Sequence, residues 1–253
     1  MPGMRMLFGA LLSAGLLAAC SDASAPGSNA QISLSVATRG AGTTPAPQPA
    51  SPDTVTIGTD VLVLEQVELV LKEIELERQH DDACDSLSGS DHEACEEFET
   101  GPFLLDLPLG VGAEHQITIT ADTGTFDEIK FKIHKPEDDG DAADQAFLAE
   151  HPDLNKISIR VTGTFNGTPF TYTTDLGAEQ EIHIDPPLVV TESSAVDVTL
   201  FVDVRGWFMN GGALIDPAQA LKGQPFEAVV QSNIESSFDA FHDDDHDGRD
   251  DDD

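Results

Sequence analysis

Residues 55–78 read VTIGTDVLVLEQVELVLKEIELER, and the fold class turns on whether this run is a helix or a strand. It is crowded with Val, Ile and Leu. Val67, Leu69 and Leu71 share one parity, whereas Ile74 and Leu76 share the other. Period-two alternation marks a strand, and β-branched residues favour the pleated state. A change of parity within one strand predicts an inserted residue, a bulge near Lys72–Glu73. A helix over Val61–Arg78 is the competing reading, and the strand is preferred.

The same period recurs along the chain. Ile32, Leu34 and Val36 alternate in QISLSVAT. Phe103–Gly110 (FLLDLPLG) is a strand closed by Pro108 and Gly110. Ile117 and Ile119 share a face, as do Ile129, Phe131 and Ile133, then Ile157, Ile159 and Val161, and finally Val196, Val198, Leu200, Val202 and Val204. Asn166-Gly167 between two alternating runs predicts a tight hairpin. About nine strands separated by turn signals predict a mainly β protein, an antiparallel β-sandwich over residues 31–241. The period changes only near the end, where Phe226, Val230, Ile234, Phe238 and Phe241 fall at helical intervals. That spacing predicts one amphipathic helix over Pro225–Phe241, packed on the sandwich. Asp216-Pro217 predicts a shorter helical turn, and Ala142–Glu150 one or two turns more.

The first twenty residues, MPGMRMLFGALLSAGLLAAC, place Arg5 before an apolar run and small residues before Cys20. This is the layout of an export signal over residues 1–19. Leu17-Ala18-Ala19-Cys20 resembles the lipobox of bacterial lipoproteins, which implies cleavage before Cys20 and lipidation of that residue. An ordinary secretory signal with a chance Cys is the alternative. Residues 20–30 read as a tether. Lipoproteins of this kind with Asp directly after the Cys stay at the inner membrane. Ser21 follows here, so an outer-membrane lipoprotein facing the periplasm or the cell surface is expected.

The chain carries 47 acidic residues against 12 Lys and Arg, a formal charge of −35. Such a surface repels nucleic acid. Cys84 and Cys95 sit in HDDACDSLSGSDHEACEE and predict a disulfide in an exported protein, closing a loop of about a dozen residues worth ~3 kcal/mol. A zinc site from His80, Cys84, His92 and Cys95 is the alternative.

Two acidic clusters suggest cations. One is Asp138, Asp139, Asp141 and Asp144 around Gly140, against which stands a plain solvated loop. The other is the end, FHDDDHDGRDDDD. Asp243, Asp245, Asp247 and Gly248 follow the opening of a calcium loop, with Arg249 offering its carbonyl and Asp251 at the ninth position. The closing acid would fall beyond Asp253. Residues 242–253 are therefore read as a disordered acidic tail, with weak Ca²⁺ binding as one outcome, solvation alone as another, and a His242/His246 metal pair as a third. Trp207-Phe208 admits two readings, an exposed ligand platform or a core plug. No catalytic motif is present, so no enzyme activity and no other cofactor are expected. A protein or glycan ligand is expected instead. A hydrolase of envelope glycans is the rival, weakened by the presence of only one Trp and one Tyr.

FLLDLPLG followed by GTFDEIKFKIHK resembles a family of bacterial lipoproteins known as a domain of unknown function. The likeness includes the Gly124-Thr125-Phe126 corner and spans about Ile32 to Val204. It implies an exported sandwich similar to transthyretin-like or immunoglobulin-like modules, and it carries no catalytic residue.

Overall fold

The computed structural model describes residues 30–38, 52–79, 101–110, 114–121, 123–138, 141–191 and 195–242. Residues 55–78 form a strand, as the alternation requires. β3 (Asp60–Arg78) is the longest element, with 19 residues. Its hydrophobic face is kept inward by two irregularities. Glu73, at φ 53°, is the extra residue between the Lys72 and Glu75 pairings. It returns Ile74 and Leu76 to the side already occupied by Val67, Leu69 and Leu71, and all five are buried. A second shift, between Leu64 and Gln66, lies outside the sequence expectation. It does the same for Leu62 and Leu64, both fully buried.

β3 carries the larger sheet. β1 (Ala30–Ala37) and β2 (Asp53–Ile57) precede it. β4 (Phe103–Asp106), β5 (Glu114–Ala121), β6 (Gly124–Ile133), β7 (Ile159–Phe165), β8 (Thr168–Thr174), β9 (Ala178–Val190) and β10 (Ala195–Val202) follow. The short pair β11 (Met209–Asn210) and β12 (Ala213–Leu214) and then β13 (Phe238–His242) complete the strands. The larger sheet runs β8-β7-β3-β6-β9, with β2 and β4 also paired to β3. The smaller runs β13-β10-β1-β5. β7 pairs with the first half of β3 and β6 with the second. At the handover, the Val70 N–H donates to Ser158 O (2.8 Å) and the Val70 carbonyl accepts from the His134 N–H (2.9 Å). The two groups of one strand residue point to the same edge. β7 and β6 therefore line that edge in succession.

The two sheets enclose one main core. Leu62, Leu69, Phe126, Ile129, Phe131, Ile159 and Val161 come from the larger sheet, and Ile32, Leu34, Val198 and Leu200 from the smaller. Each such side chain contributes roughly 1.5–3 kcal/mol on burial. The Asn166-Gly167 turn forms as its sequence predicts, with φ of 51° and 78°. The Asn166 side chain also ties the tip to β3, accepting from Val61 N (2.8 Å) and donating to Asp60 Oδ1 (3.0 Å).

Several expectations change. Thirteen strands, some very short, stand among the described residues where about nine are expected. β4 stops at Asp106, short of Gly110, and Val204 falls in a 3-10 turn after β10 ends at Val202. The sandwich is not wholly antiparallel, because β1 runs parallel to β10, in a register from Gln31–Ala195 to Ala37–Phe201. The alternating pattern in each strand is the same for either direction, so it carries no sign of this. Ile157 lies just outside β7 and packs with a second cluster described below. Finally, the terminal helix is shorter than Pro225–Phe241. α2 spans Glu227–Glu235, after the nine-residue α1 (Ala142–Glu150). Ser236 and Ser237 close α2 by donating their hydroxyls back to Ser232, Asn233 and Ile234 carbonyls. That supplies the orphan carbonyls of a helix end. The chain then straightens into β13, where Phe238 meets Phe131 edge-on at 5.3 Å. The Asp216-Pro217 turn is one 3-10 turn, its Asp216 carboxylate accepting from Ala218 N (3.0 Å).

Deleting Glu73 should flip Ile74 and Leu76 outward and turn Glu75 and Glu77 toward the core, so the variant should not fold. Glu73→Gly relieves the positive φ while losing a part-exposed ion pair, so its stability should stay within about 1 kcal/mol of the parent. Urea unfolding of the two variants checks this. A folded deletion variant would contradict the role given to the bulge.

Candidate functional site

α1 and the 3-10 turn Pro152–Leu154 leave the sandwich and lie against the outer face of the larger sheet. Phe147, Leu148 and Leu154 come down on Val70 as a small apolar cluster of their own. Asp141 caps α1, accepting from Asp144 N at 2.9 Å. The same carboxylate takes the Lys72 ammonium at 2.8 Å.

Asp144 is 4% exposed and fully engaged. One oxygen meets His134 Nε2 at 2.7 Å and lies 4.0 Å from Lys72 Nζ. The other accepts from Glu137 N at 3.0 Å. In a neutral His134 this pairing places the proton on Nε2 and leaves Nδ1 as an acceptor. The imidazole lines an open cleft of about 450 Å³, shared with Lys132, Lys135, Glu137, Asp144 and Glu179. A second open groove, of about 540 Å³, lies between α1 and β4. It is lined by Pro102, Phe103, Leu104, Ala143, Ala146 and Phe147, with Glu150 and His151 at its rim.

The rest of the outer face is an array of ion pairs. Arg160 holds Glu68 through two bonds, of 2.6 and 3.0 Å, and also reaches Asp153. That clamp ties the 3-10 turn to the sheet. Lys132 pairs with Glu73, and Lys130 meets Glu77 (2.7 Å), Glu128 (3.1 Å) and Glu181 (3.7 Å). The hydrogen bond to Asp141 raises the Lys72 ammonium above its usual range, against the opposing effect of burial. The same bond, with the cap contact from Asp144 N, lowers the Asp141 carboxyl to about 2.

The residues singled out by sequence fare differently. Of the Asp138–Asp144 cluster, Asp139 and Gly140 lie outside the described residues. Asp138 and Asp141 are exposed, as a solvated loop requires, although Asp141 also caps α1 and holds Lys72; Asp144 is buried against His134, so the solvated-loop reading fails for Asp144. His183 remains on the polar face, its Nδ1 3.2 Å from Glu128. Trp207 and Phe208 are fully buried, so of the two readings the core plug holds and the exposed platform falls. Trp207 Nε1 donates to Ser237 Oγ (2.8 Å), and Asn233 on α2 donates to the Trp207 carbonyl (2.9 Å). Cys20, Cys84, Cys95, Asp243, Asp245, Asp247, Arg249 and Asp251 lie outside the described residues. Among the described residues, no group of three or more His, Cys, Asp and Glu is placed to hold a metal ion, and no helix is long and apolar enough to cross a membrane. Sequence reading missed the His134–Asp144–Lys72 assembly. Its parts are brought together by register alone, and only the Asp141-to-Asp144 spacing hints at a cap.

These features define a mainly β sandwich with a helical shoulder on its larger sheet. No family model matches the chain, and no curated protein matches it. Among solved structures, MbnP from Methylosinus trichosporium is similar over 85% of this chain and 98% of its own, at 10% identity and a TM-score of 0.39. No property is carried over from so distant a likeness.

The Lys72–Asp141 pair has an acid signature. The folded value for Asp141, about 2, lies below the ordinary value of 3.8. Its contribution is therefore complete above the unfolded value and is lost as pH falls toward 2. Asp141→Asn keeps a capping side chain but removes the charge. Thermal midpoints measured from neutral pH down to pH 2 should fall less steeply in Asp141→Asn than in the parent. Parallel curves would show that the pair contributes nothing.

Proposed function

We propose that the protein is an exported, lipid-anchored module of the cell envelope that acts by binding a partner rather than by catalysis. The observation that carries this is the distribution of charge. On the outer sheet face, Lys72, Lys130, Lys132 and Arg160 are each held by carboxylates of the same chain. With 47 acids against 12 cations, most carboxylates are left without an internal counter-charge. What the surface offers a partner is carboxylate oxygen, which suits a cationic protein or glycan and disfavours nucleic acid. The two open clefts beside α1 give such a partner a place to settle.

The anchor reading rests on Leu17-Ala18-Ala19-Cys20. Several acyl chains on Cys20 would hold the protein firmly, whereas one chain binds only marginally. The parent protein should partition into detergent and incorporate labelled palmitate, and Cys20→Ala should be released in soluble form. Equal retention of the variant at the membrane would remove the anchor from this reading.

A second reading concerns calcium. β13 ends at His242, so the D-x-D-x-D-G run begins directly after a sheet strand. Carboxylates so closely spaced repel one another, which keeps affinity on the order of millimolar at best. Calorimetry should show weak Ca²⁺ binding to the full chain and none to a chain ended after His242, which leaves β13 whole. Equal binding by both, or by neither, would make the spacing a coincidence.

A further inference from the structure

The groove between β4 and α1 has the makings of a peptide site. β4 pairs with β3 alone among the described strands. In that pairing Leu104 stands opposite Val70. Val70 spends its own N–H and carbonyl on Ser158 and His134, on the far edge of β3. Leu104 is thus in a position whose backbone groups point away from β3, toward the open edge of β4. A strand edge of this kind is a template for a further strand.

The edge is flanked by a shaped apolar surface. Leu104 and Phe103 from β4, with Ala143, Ala146 and Phe147 from α1, line the adjoining groove. Gly101 brings the chain close to the helix, since a Cβ there would lie 3.7 Å from the Ala143 Cβ. An edge strand beside a helix is the arrangement in which extended peptides are captured, with main-chain bonds supplying affinity and alternate side chains supplying selection.

The charge around the groove selects the occupant. Glu150 at its rim is exposed and makes no ion pair among the described residues. Asp106, two positions beyond Leu104 on β4, has a neutral partner only, Gln66 Nε2 at 3.3 Å. Burial raises its carboxyl above the usual range, and the neighbouring Glu68 adds to this. A cation at Asp106 would offset its burial, and one at the groove's rim would pair with Glu150.

We infer that β4 and α1 form a docking groove for an extended basic peptide, which adds a strand to the open edge of β4, lays apolar side chains against Phe103, Leu104 and Phe147, and brings Lys or Arg to Glu150 and Asp106. The inference deepens the proposed binding function by naming the partner's chemistry. It does not depend on the lipid anchor.

The probe is a fluorescent Lys-Lys-Val-Val-Lys-Lys peptide, whose extended form carries a Val flanked by Lys on each face, compared with its Glu/Val counterpart by polarisation. Ala146→Phe fills the groove. Leu104→Pro removes an N–H on the edge that β3 does not use, where Pro is tolerated. Neither variant alters net charge. The Lys/Val peptide should bind the full chain at moderate salt and lose at least tenfold in affinity to both variants, while the Glu/Val peptide should not bind. Circular dichroism and unfolding midpoints equal to the parent's would establish that the variants are folded. If either fails to fold, Ala146→Leu, a smaller filling change, takes its place. Equal binding of Lys/Val to parent and variants would reduce the effect to non-specific attraction and overturn the proposal, leaving the broader binding function untouched. A parent that dimerises, with a monomeric Ala146→Phe, would assign the groove to a second copy and overturn it also. So would binding seen only after residues 82–98 are replaced by a short Gly-Ser link, which would assign the groove to this chain's own segment.

Discussion

The fold depends on one strand keeping its apolar side inward for 19 residues. β3 does so by inserting residues twice, near Glu65 and at Glu73, so that Leu62 and Leu64, then Val67, Leu69 and Leu71, then Ile74 and Leu76 all enter the same core. A strand of that length without correction would carry half of these side chains to solvent, because its period is two. Glu73 takes a left-handed conformation to achieve this, at a cost of about 1 kcal/mol. Burial of even one of the side chains it redirects outweighs that cost. Between the two corrections, Val70 faces the other way. It seats α1 on the outer face, which places the candidate site where it is.

How much of this the sequence revealed depended on the range of the signal. The parity change from Leu71 to Ile74 was plain because two long apolar runs flank it. The earlier change was hidden because Glu65-Gln66 separates Val67 from a run of only two core residues, Leu62 and Leu64. Asn166-Gly167 announced its hairpin since both residues tolerate positive φ. Phe238 and Phe241 misled, because four- and three-residue intervals continue a helix on paper. The serines at 236 and 237 ended it through bonds that spacing does not encode. The parallel pairing of β1 with β10 had no local signature at all. The His134–Asp144–Lys72 assembly was equally illegible, since its members meet only after β3, β6 and α1 have been aligned.

Electrostatically the molecule is divided. Nearly all of its scarce cations near α1 are fixed within the outer face of the larger sheet, and their role is local. They hold α1 and the Pro152–Leu154 turn against β3, β6 and β7. The Arg160 fork on Glu68 is planar and doubly bonded, which makes it the firmest of these ties. The half-buried lysines lack that planar fork and meet their carboxylates as point charges. The acidic excess then sets what can approach the remaining surface.

The parallel pairing of β1 also governs when the fold can be finished. Gln31 meets Ala195, about 160 positions later in the chain, and β13 must then close the far side of β10. The smaller sheet therefore combines the first strand with two of the last four. Loop-closure entropy must be overcome before those contacts return anything, so folding of this topology belongs to the slow, millisecond-to-second range. Until residues 195–242 are available, β1 has only β5 for company, and the inner face of the larger sheet lacks β10 and β13 from its cover.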